Sequence, residues 1–395
     1  MAGKQGRLGN WLLVVASVLL TYLAFEFLVF PHMVRHLSLA KQAYLEKDTR
    51  ILAQPSKPGT MPREGYIAIT GDSNALGSGD WLITADPETN APHHSADVIH
   101  ERTGRDVITL GRGGTGSVKG LVVETVAKYE SLDGLWLYHL PRPGTLLLYF
   151  YEGNDLDDNI FRVNKNFPPF ADMASIRDPE VFQRFLAYMV QRGQSPAPFL
   201  NNFIFARFLG KAIVYTVKDW VEPAWDSLMG DEPTPAANES ELPRNTAIIS
   251  GERVELAPYM QSPALDLTDE QTDLGLYVFG QCARYVRDYF PDADVRVVYI
   301  PSPLSCYELA GDQVTIQSYN SDQLVHAVAE VRAKSDGIAN EAQRITKDLG
   351  LGWIDPRAEL RAAAATAPIH GPNDWKHLNR RGYTALGDAI ARRLH

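Results

Sequence analysis

The sequence predicts an α/β protein, a doubly wound parallel sheet of about five strands tethered by one N-terminal membrane-spanning helix. Three observations predict it. From residue 66 onward, short apolar runs alternate with stretches of helical spacing, the pattern of parallel strands joined by crossover helices. One of those runs, Thr145 to Tyr151, is continuously apolar, as strands buried on both faces are. Near the N-terminus about 20 apolar residues follow one another, enough to cross a hydrocarbon core of ~30 Å as a helix.

That first element runs from Trp11 to Phe30, interrupted only by Ser17, Thr21 and Glu26. Lys4 and Arg7 before it favour a cytoplasmic N-terminus, a bias weakened by Arg35 and Lys41 beyond it. A cleaved signal peptide is the rival reading, disfavoured because no small-x-small site follows the apolar core. Glu26 falls near the far end of the helix, where a carboxylate reaches the interface. Residues 1–31 are therefore read as cytoplasmic tip and anchor. Residues 32–64 read as a stalk, because Gln54 to Arg63 carries three prolines and a glycine.

The globular body, residues 65–395, opens with the strand Tyr66-Ile-Ala-Ile-Thr running into Gly71-Asp72-Ser73. Ser95 to Thr103 has helical composition and stops at Gly104, a C-terminal cap. Asp106 to Leu110 is a strand ending in Gly111-Arg112-Gly113-Gly114, and Val118 to Leu132 returns to helical spacing. After Thr145 to Tyr151 the alternation breaks. Residues 159–267, rich in Phe, Pro and Trp, read as a long insertion that serves as a lid, a substrate wall or a small separate domain. Gly230 to Arg244 reads as an exposed loop within it. A helix over Asp269 to Phe290 follows, opened by a capping box of Thr268 and Gln271. Val295 to Ile300 is a buried strand, Ser321 to Leu349 a helix with a possible break at Gly337, and Gly352 to Asp355 a short strand. Arg380 to Leu394 closes the chain as an amphipathic helix.

Composition excludes some classes of function. A net charge of −10 leaves no cationic surplus to neutralise phosphates, so nucleic acid is not an expected partner. The two cysteines, Cys282 and Cys306, form no CxxC pair, which argues against thiolate metal binding; they are open to pairing or to burial as free thiols. His93-His94 and His370 lack carboxylates at ligand spacing and read as exposed loop histidines. No metal or cofactor is expected. Asn238-Glu239-Ser240 matches a glycosylation triplet, a pattern frequent by chance.

Serine nucleophilic catalysis needs a hydroxyl on a sharp turn, a base, a group that orients the base, and oxyanion donors. Ser73 ends a buried strand, where parallel sheets bind ligands, although Gly-Asp-Ser alone also fits a plain turn with Asp72 and Ser73 as caps. Asp374, three residues before His377, can meet the imidazole within one turn and fix its tautomer. Gly114 follows a strand and offers an unhindered N–H. Asn154 offers a side-chain amide, unless Gly153-Asn154-Asp155 is only a turn. Arg112 reads as a surface arginine more readily than as an anion contact, and Trp375 as a pocket wall or a packing residue.

Taken together, Gly71-Asp72-Ser73-Asn74, Gly111-Arg112-Gly113-Gly114-Thr115-Gly116, Glu152-Gly153-Asn154-Asp155 and Asp374-Trp375-Lys376-His377 resemble the four conserved blocks of the SGNH (GDSL-like) hydrolase superfamily. The resemblance spans residues 66 to 395 apart from the insertion, and it implies the flavodoxin-like SGNH fold. It also implies Ser73 as nucleophile, His377 as general base and Asp374 as its orienter. The implied oxyanion hole is the N–H groups of Ser73 and Gly114 with the Asn154 amide, Gly113 competing with Gly114. One departure stands out: Glu152 occupies the place of the third block's first glycine, which puts the local backbone shape in question. The implied activity is hydrolysis of an acyl ester, with O-acyl (acetyl) transfer to a polysaccharide by the same residues as the alternative. A non-catalytic glycan-binding or assembly protein is the third reading, disfavoured because every catalytic position is kept. The layout resembles that of bacterial envelope members, single-pass in the inner membrane with the catalytic domain in the periplasm.

Overall fold

The computed structural model describes residues 2–89, 93–194, 198–229, 244–258, 260–317 and 323–394. Five strands, β1 (Ile67–Thr70), β2 (Val107–Thr109), β3 (Thr145–Tyr151), β4 (Asp294–Ile300) and β5 (Gly352–Ile354), pair in parallel in the order β2-β1-β3-β4-β5. This is an α/β fold with the doubly wound order that the alternation predicts. Successive strand residues point to opposite faces, and each face has its own core. Ala68, Leu146, Leu148, Phe150, Val297 and Tyr299 enter one cluster. Ile67, Ile69, Leu147, Tyr149, Val298 and Ile300 enter the other.

Helices cover both faces. Glu124–Asp133, Pro179–Gly193 and Asp269–Tyr289 supply Val126, Phe182, Phe185 and Phe279 to the first cluster. Ser95–Thr103, Arg357–Ala364 and Arg380–Arg393 supply Ile99, Leu360, Leu386 and Ile390 to the second. The capping box at Thr268 forms as predicted: its hydroxyl accepts the Gln271 N–H and the Gln271 side chain accepts the Thr268 N–H.

Among the described residues one helical stretch, Gly9–His36, is long and apolar enough to cross a membrane. Glu26 does not reach outward from it. Its side chain is 1% exposed and accepts N–H groups from the start of the Ile204–Met229 helix.

Residues 32–64 are no free stalk. Val34, Leu37, Leu45, Ile51 and Leu52 are buried in the first core cluster. The Pro-rich part closes the open edge of β2. The Gln54 side chain exchanges two hydrogen bonds with the Thr109 backbone (2.8 and 2.9 Å), and Ser56 O accepts the Val107 N–H at 2.9 Å. An unpaired strand edge invites association, and this segment removes it.

Two other expectations change. Ser321 to Leu349 is not one helix: Gln313–Gln317 and Gln323–Ala327 pair as an antiparallel hairpin, and the helix starts at Val328 and runs unbroken through Gly337 to Asp348. The described residues of 159–267 form no separate core: Phe182, Phe185, Leu186 and Ile204 join the first cluster, and Ala247, Ile249 and Leu256 the second. Of the predicted loop Gly230 to Arg244, residues 230–243 lie outside the described residues, as does the Asn238 triplet. Cys282 and Cys306 are both buried and free.

Candidate active site

In a doubly wound sheet the strand order reverses between the two halves, and a crevice opens at the carboxyl ends of the strands flanking that point. Here those strands are β1 and β3. Ser73 follows the first and Asn154 the second, while the glycine-rich segment follows β2 beside them.

The turn after β1 is tight. Gly71 has φ +145°, and a Cβ there would stand 2.8 Å from Tyr149 O and 3.0 Å from Tyr149 Cβ. Asp72 then caps the short helix Ser73–Leu76, its Oδ1 accepting the Asn74 N–H at 2.9 Å and its Oδ2 the Asn74 amide at 3.1 Å. Ser73 leads that helix with its backbone N–H free of any intrahelical bond. Burial pushes the Asp72 carboxyl up, with the nearby His377 charge opposing.

Three residues before the last helix begins, His377 returns to this turn. Its Nε2 lies 2.8 Å from Ser73 Oγ and its Nδ1 2.7 Å from Asp374 Oδ2. Asp374 Oδ1 accepts the N–H groups of Lys376 (2.9 Å) and His377 (3.2 Å), so carboxylate and imidazole belong to one tight turn. Burial raises the Asp374 carboxyl, but the His377 hydrogen bond and charge and the two N–H groups outweigh it and hold it below its ordinary value. An ionised Asp374 only accepts, which puts the imidazole proton on Nδ1 and leaves Nε2 to accept from the Ser73 hydroxyl.

Asp80 supports this loop, and sequence reasoning missed it. Its buried carboxylate accepts the Asn373 N–H at 2.6 Å and the Asp374 N–H at 3.2 Å. Its neighbourhood reads as an ordinary helix start, and its partners lie 293 and 294 residues away, so no local pattern marks it. His370 is buried rather than exposed. Burial and the His377 charge push its imidazole down to about 3, and in the neutral form it meets the Tyr307 hydroxyl at 3.1 Å. The same hydroxyl oxygen accepts the Ile369 N–H (3.0 Å) and the His370 N–H (3.2 Å), fixing the chain leading into the loop. Trp375 packs over Gly371, where a Cβ would come within 2.5 Å of the indole.

The glycine-rich segment lies against Ser73. A Cβ on Gly113 would be 3.7 Å from Ser73 Cβ, and Gly114, at φ +67°, would point one into open space. Two features hold the segment: Arg112 donates its N–H to Gly71 O at 3.0 Å, and buried Lys128 donates to Leu110 O (2.8 Å) and Gly111 O (2.7 Å). Burial lowers that ammonium to about 8. The Arg112 side chain pairs with Glu124 rather than facing the turn.

Asn154 stands at the first position before the Asp155–Asn166 helix after β3, without a side-chain capping bond. Its Nδ2 makes only a long 3.4 Å contact with Asp158 Oδ2, and its Oδ1 is buried without a partner. The departure at Glu152 has a structural reason. This fully buried carboxylate accepts the Ser302 N–H (2.8 Å), the Ser302 hydroxyl (2.9 Å), the Ser335 hydroxyl (2.8 Å) and the Tyr299 hydroxyl. One side chain thus ties the end of β3 to β4, to the turn after it and to the Val328–Asp348 helix. A charged residue closing an all-apolar strand is the sequence signal for such a network.

His94 is buried as well: its ring stacks on Trp81 and its Nδ1 caps the Ser95–Thr103 helix. Among the described residues no group of three or more His, Cys, Asp or Glu side chains is arranged to hold a metal ion.

No family model and no curated protein matches the sequence. Two solved structures align with it. One covers 84% of this chain and 97% of its own, at 11% identity and a TM-score of 0.34. The other is an acetyl xylan esterase from the rumen bacterium Butyrivibrio proteoclasticus, covering 84% of this chain at 9% identity and a TM-score of 0.32; the alignment spans 63% of that esterase.

Proposed function

We propose that the chain is a serine-dependent carboxylic-ester hydrolase of the SGNH type, with Ser73 as nucleophile, His377 as general base and Asp374 orienting it. The observation that carries this reading is the unbroken relay from Ser73 Oγ to His377 Nε2 (2.8 Å) and from His377 Nδ1 to Asp374 Oδ2 (2.7 Å), beside the switch point of the sheet.

Ser73 Oγ attacks the acyl carbonyl while its proton passes to His377 Nε2, and the carbonyl π pair moves onto oxygen. The N–H groups of Ser73 and Gly114, with the Asn154 amide, receive that oxyanion. The long Asn154–Asp158 contact leaves this amide available to turn toward it. Collapse expels the alkoxide, which takes the proton from His377, and leaves an acyl-serine. A water then loses a proton to Nε2, adds to the acyl carbon, and releases the acid and Ser73.

The substrate class we assign is an acylated cell-envelope or secreted glycan, reached from the outer side of the inner membrane. The support is the apolar Gly9–His36 helix together with the resemblance of the four sequence blocks to envelope members of the superfamily.

The test is turnover of p-nitrophenyl acetate by the full-length chain in detergent. Wild type is expected to release acetate continuously, and Ser73→Ala to fall to the background rate. Equal turnover by the two proteins contradicts the assignment.

A further inference from the structure

The base of the apolar helix is built into the globular domain. Residues Phe25–Val29 widen into a π turn, and Glu26 within it accepts the backbone N–H groups of Phe205 (2.7 Å) and Ala206 (3.0 Å) and the Tyr22 hydroxyl (2.9 Å). The Ile204–Met229 helix therefore begins against the membrane helix, with the carboxylate satisfying its first free N–H groups.

One residue on, Phe27 meets an aromatic group from the domain. Its ring centroid is 6.0 Å from that of Trp136 and 5.6 Å from that of Phe203, and Trp136 is 5.1 Å from Phe199. The backbone of Trp136 is fixed by a 2.7 Å bond to the Asn202 side chain. These residues are not core. Trp136 is 55% exposed, Leu137 51%, Phe199 58% and Leu200 55%. Four large apolar side chains open to water, two on a loop and two on the adjoining 3-10 turn Pro198–Asn202, form a patch of the kind that marks an interaction surface.

Helix geometry sets the height of this patch. At 1.5 Å per residue, Trp11 to Phe27 spans about 24 Å. A hydrocarbon core of ~30 Å that begins at Trp11 ends several ångströms beyond Phe27. Side chains in ring contact with Phe27 then stand at the second boundary, the depth at which Trp and other amphipathic rings collect. A partner protein would have to share that depth with lipid, whereas the bilayer itself already surrounds the helix that the patch adjoins.

We propose that Trp136, Leu137, Phe199 and Leu200 form a collar that seats the globular domain in the acyl–headgroup boundary of a phospholipid leaflet around its own anchor. The proposal rests on the reading of Gly9–His36 as membrane-spanning. It adds that the domain rides on the bilayer surface in one orientation, held by Glu26 and the collar, and does not swing on a tether.

The test uses the full-length chain in phosphatidylcholine vesicles, with an NBD label on single cysteines introduced by L137C and L200C; the native Cys282 and Cys306 are buried. V18C, read with a doxyl group placed deep in the acyl chain because residue 18 lies about 10 Å inside the core, marks the anchor, and A362C marks an exposed site on the opposite layer of the sheet. Lipids carrying a doxyl quencher near the headgroup should remove roughly half of the fluorescence at 137 and 200 and little at 362. Quenching at 18 with no more at 137 and 200 than at 362 overturns the collar and leaves the anchor standing. Quenching at none of the four sites removes the anchor itself, and the collar with it.

Discussion

His377 is held from both sides, by the Ser73 hydroxyl at 2.8 Å and by Asp374 at 2.7 Å, and each contact makes a separate kinetic prediction. His377→Ala removes the base, and kcat should drop by about 10⁴-fold or more with KM little changed. Asp374→Asn presents an amide N–H to Nδ1, forces the other tautomer and should cost of the order of 10³–10⁴-fold. Asn154→Ala removes one proposed oxyanion donor and should lower kcat about 10²–10³-fold. Asp80 touches no substrate, and its role is positioning. Asp80→Asn keeps one carbonyl acceptor for the Asn373 N–H and should lower kcat only modestly, whereas Asp80→Ala should lower it further with KM unchanged. Equal losses for the two variants would point to a merely structural role. The residues of the Ser73–His377–Asp374 contact stand out in the sequence because each sits in a short block after a strand or before the last helix. Asp80 does not, since the contact that gives it meaning joins positions nearly 300 residues apart.

At the level of single elements, local pattern was reliable wherever burial was complete. Thr145–Tyr151 is apolar throughout and forms a strand with those bounds, and the Thr268–Gln271 box starts its helix where predicted. It failed where pairing outweighed propensity. Residues 323–327 include the helix formers Gln323, Leu324 and Ala327, yet the cross-strand partners Val314–His326 and Ile316–Leu324 draw them into a hairpin. Residues 32–64 depart from a stalk for a similar reason: prolines suit a linker, but they also suit a segment that closes a sheet edge. Gly337 gives a clean test of the helix that follows. It is exposed, its φ is not positive, and a Cβ there meets nothing within 4 Å. Gly337→Ala should therefore stabilise the protein by about 0.5–1 kcal/mol in urea unfolding. Glu152→Ala should do the reverse, leaving several buried donors unpaired at a cost of about 3 kcal/mol or more, read as a lower urea midpoint.

Across the whole molecule, two cores on either side of one parallel sheet bring the strand ends together, and the last loop returns His377 and Asp374 to the Ser73 turn beside Gly113. The topology also gathers acidic groups at the start of the Asp155–Asn166 helix. Burial, then the charges of Asp266 and Asp158, push the Asp157 carboxyl up to about 7. A carboxyl raised in the fold binds more protons than its unfolded counterpart, so stability falls as pH rises from about 4 toward 7. Asp157→Asn should flatten that fall, and an unchanged pH profile of the thermal midpoint would show that the group ionises normally. Hydrolysis rather than transfer is the central functional expectation, and with acetylated oligosaccharides the chain should release free acetate in excess of newly acetylated acceptor.

The most direct measurement is intact-mass and peptide-mapping analysis after treatment with a fluorophosphonate. One adduct per chain on Ser73, slowed strongly in His377→Ala and absent in Ser73→Ala, is the result that a working relay produces. Modification of another residue, or none in a folded protein, would contradict Ser73 as the nucleophile.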